Sequence, residues 1–259
     1  MQVWAVPLAM ALGLGLGGTA VPPIDPPADP ARLARQLAAI QSGWPQPRHP
    51  VPPPARGVDC AEVKCVALTF DDGPGEHTGA LLDVLAEHRA RATFFVIGVM
   101  VEENGGGDLR RMVAEGHELG NHSWSHAQLT ALSRDGIASE LDRTQKIVER
   151  ETGVRMVLMR PPYGATDGRV AAESRSRGLS QILWDVDTLD WRDRDSAVVV
   201  RRAGEAAPGS IVLMHDIHRT TIDAVPELLE DLAAEDYTFV TLSELYGRKL
   251  TPGKRYLRR

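Results

Sequence analysis

From residue 58 onward, short apolar runs alternate with stretches of helical periodicity. Runs at 66–70, 92–97, 118–121, 157–159, 181–185, 211–214 and 239–241 have strand length, and most are rich in Val, Ile, Leu and Phe. Between them, 77–88, 109–115, 135–151, 169–177, 197–206 and 222–234 carry apolar residues at helical spacing. Alternation of this kind builds a parallel sheet with crossover helices. Six or seven such units predict a small, incomplete barrel, with an open doubly wound sheet as the alternative. In either fold the working groups gather at the C-terminal ends of the strands.

The first part of the chain is organised differently. Residues 3–18 are almost wholly apolar, and Gly18-Thr19-Ala20 supplies small residues for a processing site. Residues 1–20 therefore read as a cleaved secretory signal, although no Lys or Arg precedes the apolar run. Pro7 and the short length argue against a membrane span, so no stable membrane insertion is expected after cleavage. Residues 21–57 are punctuated by proline and read as a stand-off linker, with one short amphipathic helix possible around 31–41. The remaining 58–259 read as a single folded domain.

Charge narrows the partners. The formal balance is 29 − 35 = −6, and no basic block interleaves with aromatics, which excludes nucleic acid. Lys254, Arg255, Arg258 and Arg259 read as a frayed, solvated tail. The only cysteines, Cys60 and Cys65, lie five positions apart. In an exported chain they read as a disulfide loop, contributing about 2 kcal/mol by loop closure.

The strand ends carry the chemistry. Thr69-Phe70-Asp71-Asp72-Gly73-Pro74 closes the first strand, and His122-Ser123-Trp124-Ser125-His126 follows the third. Adjacent strand residues face opposite ways, so both aspartates reach one site only if the chain turns at Gly73-Pro74. His122 and His126 share a face if a helical turn starts there. One carboxylate and two imidazoles can hold a divalent ion, leaving the second carboxylate free as a base. Arg160 ends the fourth strand, Asp187 and Asp190 follow the fifth, and His215 and Asp216 end the sixth.

In these motifs the chain resembles the NodB-homology polysaccharide deacetylases of carbohydrate esterase family 4. The resemblance rests on Thr69–Asp72, His122–His126, Arg160-Pro161-Pro162-Tyr163-Gly164, Asp187-Thr188-Leu189-Asp190-Trp191 and Leu213-Met214-His215, in that order. It implies a distorted (β/α)7 barrel with Zn2+, or another transition metal such as Co2+, on Asp72, His122 and His126. Asp71 becomes the base, Arg160 its ion-pair partner, and the Tyr163 N–H an oxyanion donor. His215 becomes the acid, oriented by Asp190, with Asp187 as second candidate. Tyr163, Trp191 and Leu213 bind substrate, the last two walling an acetyl pocket. His77 and His218 are weaker candidates for the sugar groove. His49, His88 and His117 read as surface or strand-end residues, and Trp124 as packed.

The expected activity is removal of N-acetyl groups from N-acetylglucosamine units of a polymer, with peptidoglycan preferred over chitooligosaccharide or O-acetylated xylan. A secreted, wall-associated monomer fits the leader and linker. A non-haem oxygenase shares the two-histidine, one-carboxylate donor set but needs neither an Arg-paired aspartate nor an acid histidine. A non-catalytic wall-binding protein would have no use for Asp71 and His215.

Overall fold

The computed structural model describes residues 49–259; the leader, most of the linker and the possible helix at 31–41 lie outside the described residues. The central strand, β1 (Cys65–Asp71), is buried along its whole length. It lies between β2 (Thr93–Val96) and β7 (Ile211–His215). β3 (Glu118–Asn121), β4 (Leu158–Met159) and β5 (Ser180–Ile182) continue from β2, and β6 (Val186–Asp187) flanks β7. Every pairing between these strands is parallel, and β8 (Thr238–Phe239) joins the start of β1. The result is the curled, partly open barrel expected from the sequence.

Helices connect and cover the strands, and the last of them packs into the barrel interior through Leu242, Leu245 and Tyr246. They are α1 (Thr78–Glu87), α2 (Gly98–Asn104), α3 (Gly107–Glu115), α4 (Arg134–Thr152), α5 (Gly168–Ser176), α6 (Asp190–Asp193), α7 (Ser196–Ala203), α8 (Arg219–Ala234) and α9 (Leu242–Tyr246). Strand periodicity gives β1 two packing faces. Val66, Leu68 and Phe70 of β1 join Phe94, Val96, Val212 and Met214 beneath the helices. Cys65 and Ala67 join Phe95 and Ile211 in the barrel interior. Two-residue alternation therefore turns Thr69, Asp71, Leu213 and His215 toward the interior as well. The apolar pattern that builds the core also aims the polar residues.

The last residues of the sequence correct the expectation of a frayed tail. β9 (Arg255–Tyr256) pairs in parallel with β5, and Tyr256 is buried against Tyr246. Leu183 N–H donates to the Tyr256 carbonyl at 2.8 Å, and Arg259 N–H donates to the Gly209 carbonyl at 2.9 Å. The segment thus runs from β5 to the loop before β7, across the open side of the barrel. Its cationic side chains hid from the sequence reading a backbone used as a strand.

The end of the linker is tied down as well. Arg56 donates to Glu244 at 2.7 Å and to the Phe239 carbonyl at 2.7 Å. Cys60 and Cys65 are joined as a disulfide, with Cα atoms 5.5 Å apart. Among the described residues no helix is long and apolar enough to cross a membrane.

Candidate active site

Asp71, Asp72, His122, His126, Tyr163, Trp191, Leu213 and His215 line one cavity of about 390 Å³ at the C-terminal ends of the strands. Arg160 and Asp190, both fully buried, support it from behind. The residues of the five motifs are therefore brought together, whereas His77, Asp216 and His218 do not line the cavity. Trp184, also on the wall, was missed. Its signal was a large aromatic just past the end of β5, a position that faces the site in this topology. Asp187 lines the cavity while one of its oxygens accepts from Leu189 N–H at 2.9 Å. Trp124 is packed, at 8% exposure, with the Arg143 guanidinium over its ring.

The two aspartates are separated by the backbone, as the turn at Gly73-Pro74 requires. Asp71 ends β1 and faces the interior. Asp72 has φ of 75°, which swings its carboxylate round to the same cavity. The two histidines are brought together differently from the expectation. Residues 122–126 form no helical turn; left-handed φ values of 66° at Ser123 and 56° at His126 fold the segment back on itself. Tyr163 and Leu189, in the other site loops, have φ of 63° and 53°. Each such conformation costs on the order of 1–3 kcal/mol for a non-glycine residue, so surrounding contacts must enforce it.

The donor set fits a divalent ion. Asp72 Oδ1 lies 3.4 Å from Nε2 of His122 and 3.4 Å from Nε2 of His126. That oxygen is buried and has no hydrogen-bond partner among the described residues. His122 Nδ1 lies 2.7 Å from the Arg160 carbonyl, which can only accept, so Nδ1 carries the proton and Nε2 presents its lone pair. Burial would raise the Asp72 pKa, but the electrostatic pull of the nearby His122, His215 and His126 imidazoles holds it down at about 2.

Two charged pairs flank this triangle. Arg160 Nη1 donates to Asp71 Oδ1 and to Thr69 Oγ1, each at 2.8 Å. Arg160 Nη2 donates to the Leu183 carbonyl at 3.2 Å, and its guanidinium stacks on Phe95 at 4.3 Å. Burial pulls the Arg160 pKa down while Asp71 opposes that pull. Opposite, His215 Nδ1 lies 2.7 Å from Asp190 Oδ1. Asp190 Oδ2 accepts from His215 N–H and Thr221 Oγ1, each at 2.7 Å, so the carboxylate cannot rotate away. Burial alone would lower the His215 pKa, yet Asp190, with Asp71 and Asp72, raises it to about 9. Asp187, the second candidate partner, does not make this contact. The cavity therefore has the Arg160-paired Asp71 carboxylate on one side and the Asp190-paired His215 imidazole on the other, an arrangement able to move a proton in each direction.

Comparison with known proteins agrees with this geometry. Residues 59–182 match the family described as polysaccharide deacetylase. The chain is 46% identical over 195 residues to the peptidoglycan-N-acetylglucosamine deacetylase PgdA of Listeria monocytogenes, aligning 74% of this chain with 41% of that protein. It thus spans about two fifths of that relative's length. Among solved structures, a T48 deacetylase with substrate superposes with a TM-score of 0.74 at 46% identity, covering 77% of this chain and all of that one. A family 4 acetyl xylan esterase from Clostridium thermocellum in complex with a cobalt ion superposes at 0.70 with 30% identity, over 75% of this chain and 98% of that one. The chain belongs to the polysaccharide deacetylase family, the family 4 carbohydrate esterases.

Proposed function

We propose that the protein is a secreted, metal-dependent hydrolase that removes N-acetyl groups from N-acetylglucosamine units of peptidoglycan. One observation carries this reading. The Asp72–His122–His126 triangle lies between the Asp71–Arg160 and His215–Asp190 pairs in a single cavity. Asp72, His122 and His126 would hold zinc or cobalt, both suited to a nitrogen and carboxylate donor set. When bound, the ion supplies Lewis acidity and lowers the pKa of water.

The chain's own residues divide the remaining work. Asp71 takes the proton from the attacking water, and Arg160 pairs with it and keeps it aimed. The Tyr163 N–H stabilises negative charge developing on the acetyl oxygen. His215 gives its proton to the departing nitrogen as the C–N bond breaks, yielding acetate and a free amine. Trp191 and Leu213 wall the acetyl group, with Trp184 completing the aromatic lining.

The disulfide suits an oxidising compartment, and the proline-rich segment suits work at a distance from an attachment point. One chain supplies the whole site, so a monomer suffices. The oxygenase alternative leaves both flanking pairs without a task. The identity to PgdA favours peptidoglycan, whereas the likeness to an acetyl xylan esterase keeps O-acetylated xylan as the second reading. Acetate release from peptidoglycan, chitooligosaccharide and acetyl-xylan, assayed side by side, tests the choice. Fastest release is expected from peptidoglycan, and a clear preference for acetyl-xylan would reverse the assignment.

A further inference from the structure

The segment carrying both histidines is held by a side chain that no motif contains. Glu140, nearly two turns into α4, points its carboxylate at the backbone between the two imidazoles. Its Oε2 accepts from Trp124 N–H and Ser125 N–H, each at 2.8 Å, and its Oε1 accepts from Ser125 Oγ at 3.0 Å. The neighbouring residue of α4 adds a second tie: the Leu141 carbonyl accepts from Asn121 Nδ2 at 2.9 Å, and Asn121 Oδ1 accepts from Ser123 N–H at 2.9 Å. On the other side, Gly98 N–H and Val99 N–H donate to the Ser123 and Trp124 carbonyls at 3.0 and 2.9 Å. The left-handed residues Ser123 and His126 flank the stretch held by Glu140.

We infer that Glu140 is a positioning residue that presets His122 and His126 for the metal by gathering the two N–H groups between them. The inference rests on the metal site proposed above. An extended path for 122–126 would point Trp124 N–H and Ser125 N–H in opposite directions, and the positive φ at Ser123 and His126 takes the segment out of a helical turn. A single carboxylate oxygen receiving both holds the two N–H groups on one side of the backbone, in the folded path that brings the imidazoles onto Asp72. α4 is a firm base for it, capped by Ser133 and closed at Gly153, with φ of 72°. The carboxylate satisfies these donors whether or not an ion is bound. Its contribution is therefore made before binding, as a smaller reorganisation on metal uptake.

The test is zinc affinity, measured by chelator competition on the metal-stripped full chain. Glu140→Ala should weaken binding by roughly 10–100-fold, the range typical for loss of a group that orients metal ligands. Glu140→Asp keeps the charge but withdraws the carboxylate by one methylene, so it should also weaken binding, by about tenfold. Glu140→Gln keeps the reach and one acceptor oxygen and should stay within about threefold of the parent. Glu149→Ala, an exposed acid on the same helix, should leave affinity unchanged. Parental affinity in Glu140→Ala or Glu140→Asp overturns the inference. So does a pattern that follows charge, with Asp normal and Gln weak, or an equal loss in Glu149→Ala. If Glu140→Ala does not fold, as judged by circular dichroism, the Asp and Gln variants decide. Failure of the parent chain to bind zinc would instead contradict the metal site itself.

Discussion

At the residue scale the site works through pairs, each member setting the state of the other. His215 illustrates this: an imidazole taken out of water should lose its proton more easily, yet Asp190 reverses the sign and holds the pKa at about 9. A bound cation nearby would offset part of that pull. The alkaline limb of the pH–rate profile should therefore report His215. Asp190→Asn removes the carboxylate but keeps the shape, so the limb is expected to move to more acidic pH while metal content stays constant. A limb that does not move would mean that Asp190 is not the group holding the proton. The sign for stability follows the same shift. The pair's contribution is complete below the ordinary histidine value near 6.5 and is lost as pH rises through about 9.

The identity of these residues was legible because the chemistry restricts the choice. A metal needs His and Asp, a buried arginine needs a carboxylate, and each lies at a strand end. What the sequence hid was conformation. The spacing of His122 and His126 suggests a helical turn, but two left-handed residues deliver the same convergence by another route. No local preference of Ser or His announces a positive φ; hydrogen bonds from α4 and α2 enforce it. Glu140 escaped notice for the same reason, since it acts on backbone amides distant in sequence.

At the element scale the parallel strands were the most legible feature. Cys65–Asp71 and Ile211–His215 are apolar runs buried on both faces, and their positions matched the apolar pattern closely. Short elements were not legible. Two-residue strands such as Arg255–Tyr256 carry no periodicity, and long-range pairing alone makes them strands. The structure nevertheless gives β9 weight, because Tyr256 is buried against Tyr246 and its hydroxyl accepts from Thr251 N–H at 2.9 Å. Tyr256→Ala should cost roughly 3 kcal/mol, by analogy with other buried aromatic truncations. For a domain of this size that corresponds to a fall in Tm on the order of 10 °C. An unchanged unfolding midpoint would restore the view of this segment as a solvated tail.

At the scale of the whole molecule, the barrel sorts its groups by depth. Apolar residues alternate toward the helices, while Thr69, Asp71, Arg160 and His215 converge inside. The linker's end is fixed by Arg56 and Glu244 near the start of β1, and the proposed catalytic groups stand at the strand's far end. The proposed reaction depends on a division of labour between two neighbouring aspartates that face one cavity only because the chain turns between them. Measuring bound metal and acetate release together in Asp71→Asn and Asp72→Asn tests that division most directly. Asp71→Asn should retain one ion per chain while turnover falls by about 10²- to 10⁴-fold, the usual cost of losing a general base. Asp72→Asn should lose both the ion and the activity. Metal lost in Asp71→Asn but kept in Asp72→Asn, or undiminished turnover in Asp71→Asn, would contradict the account.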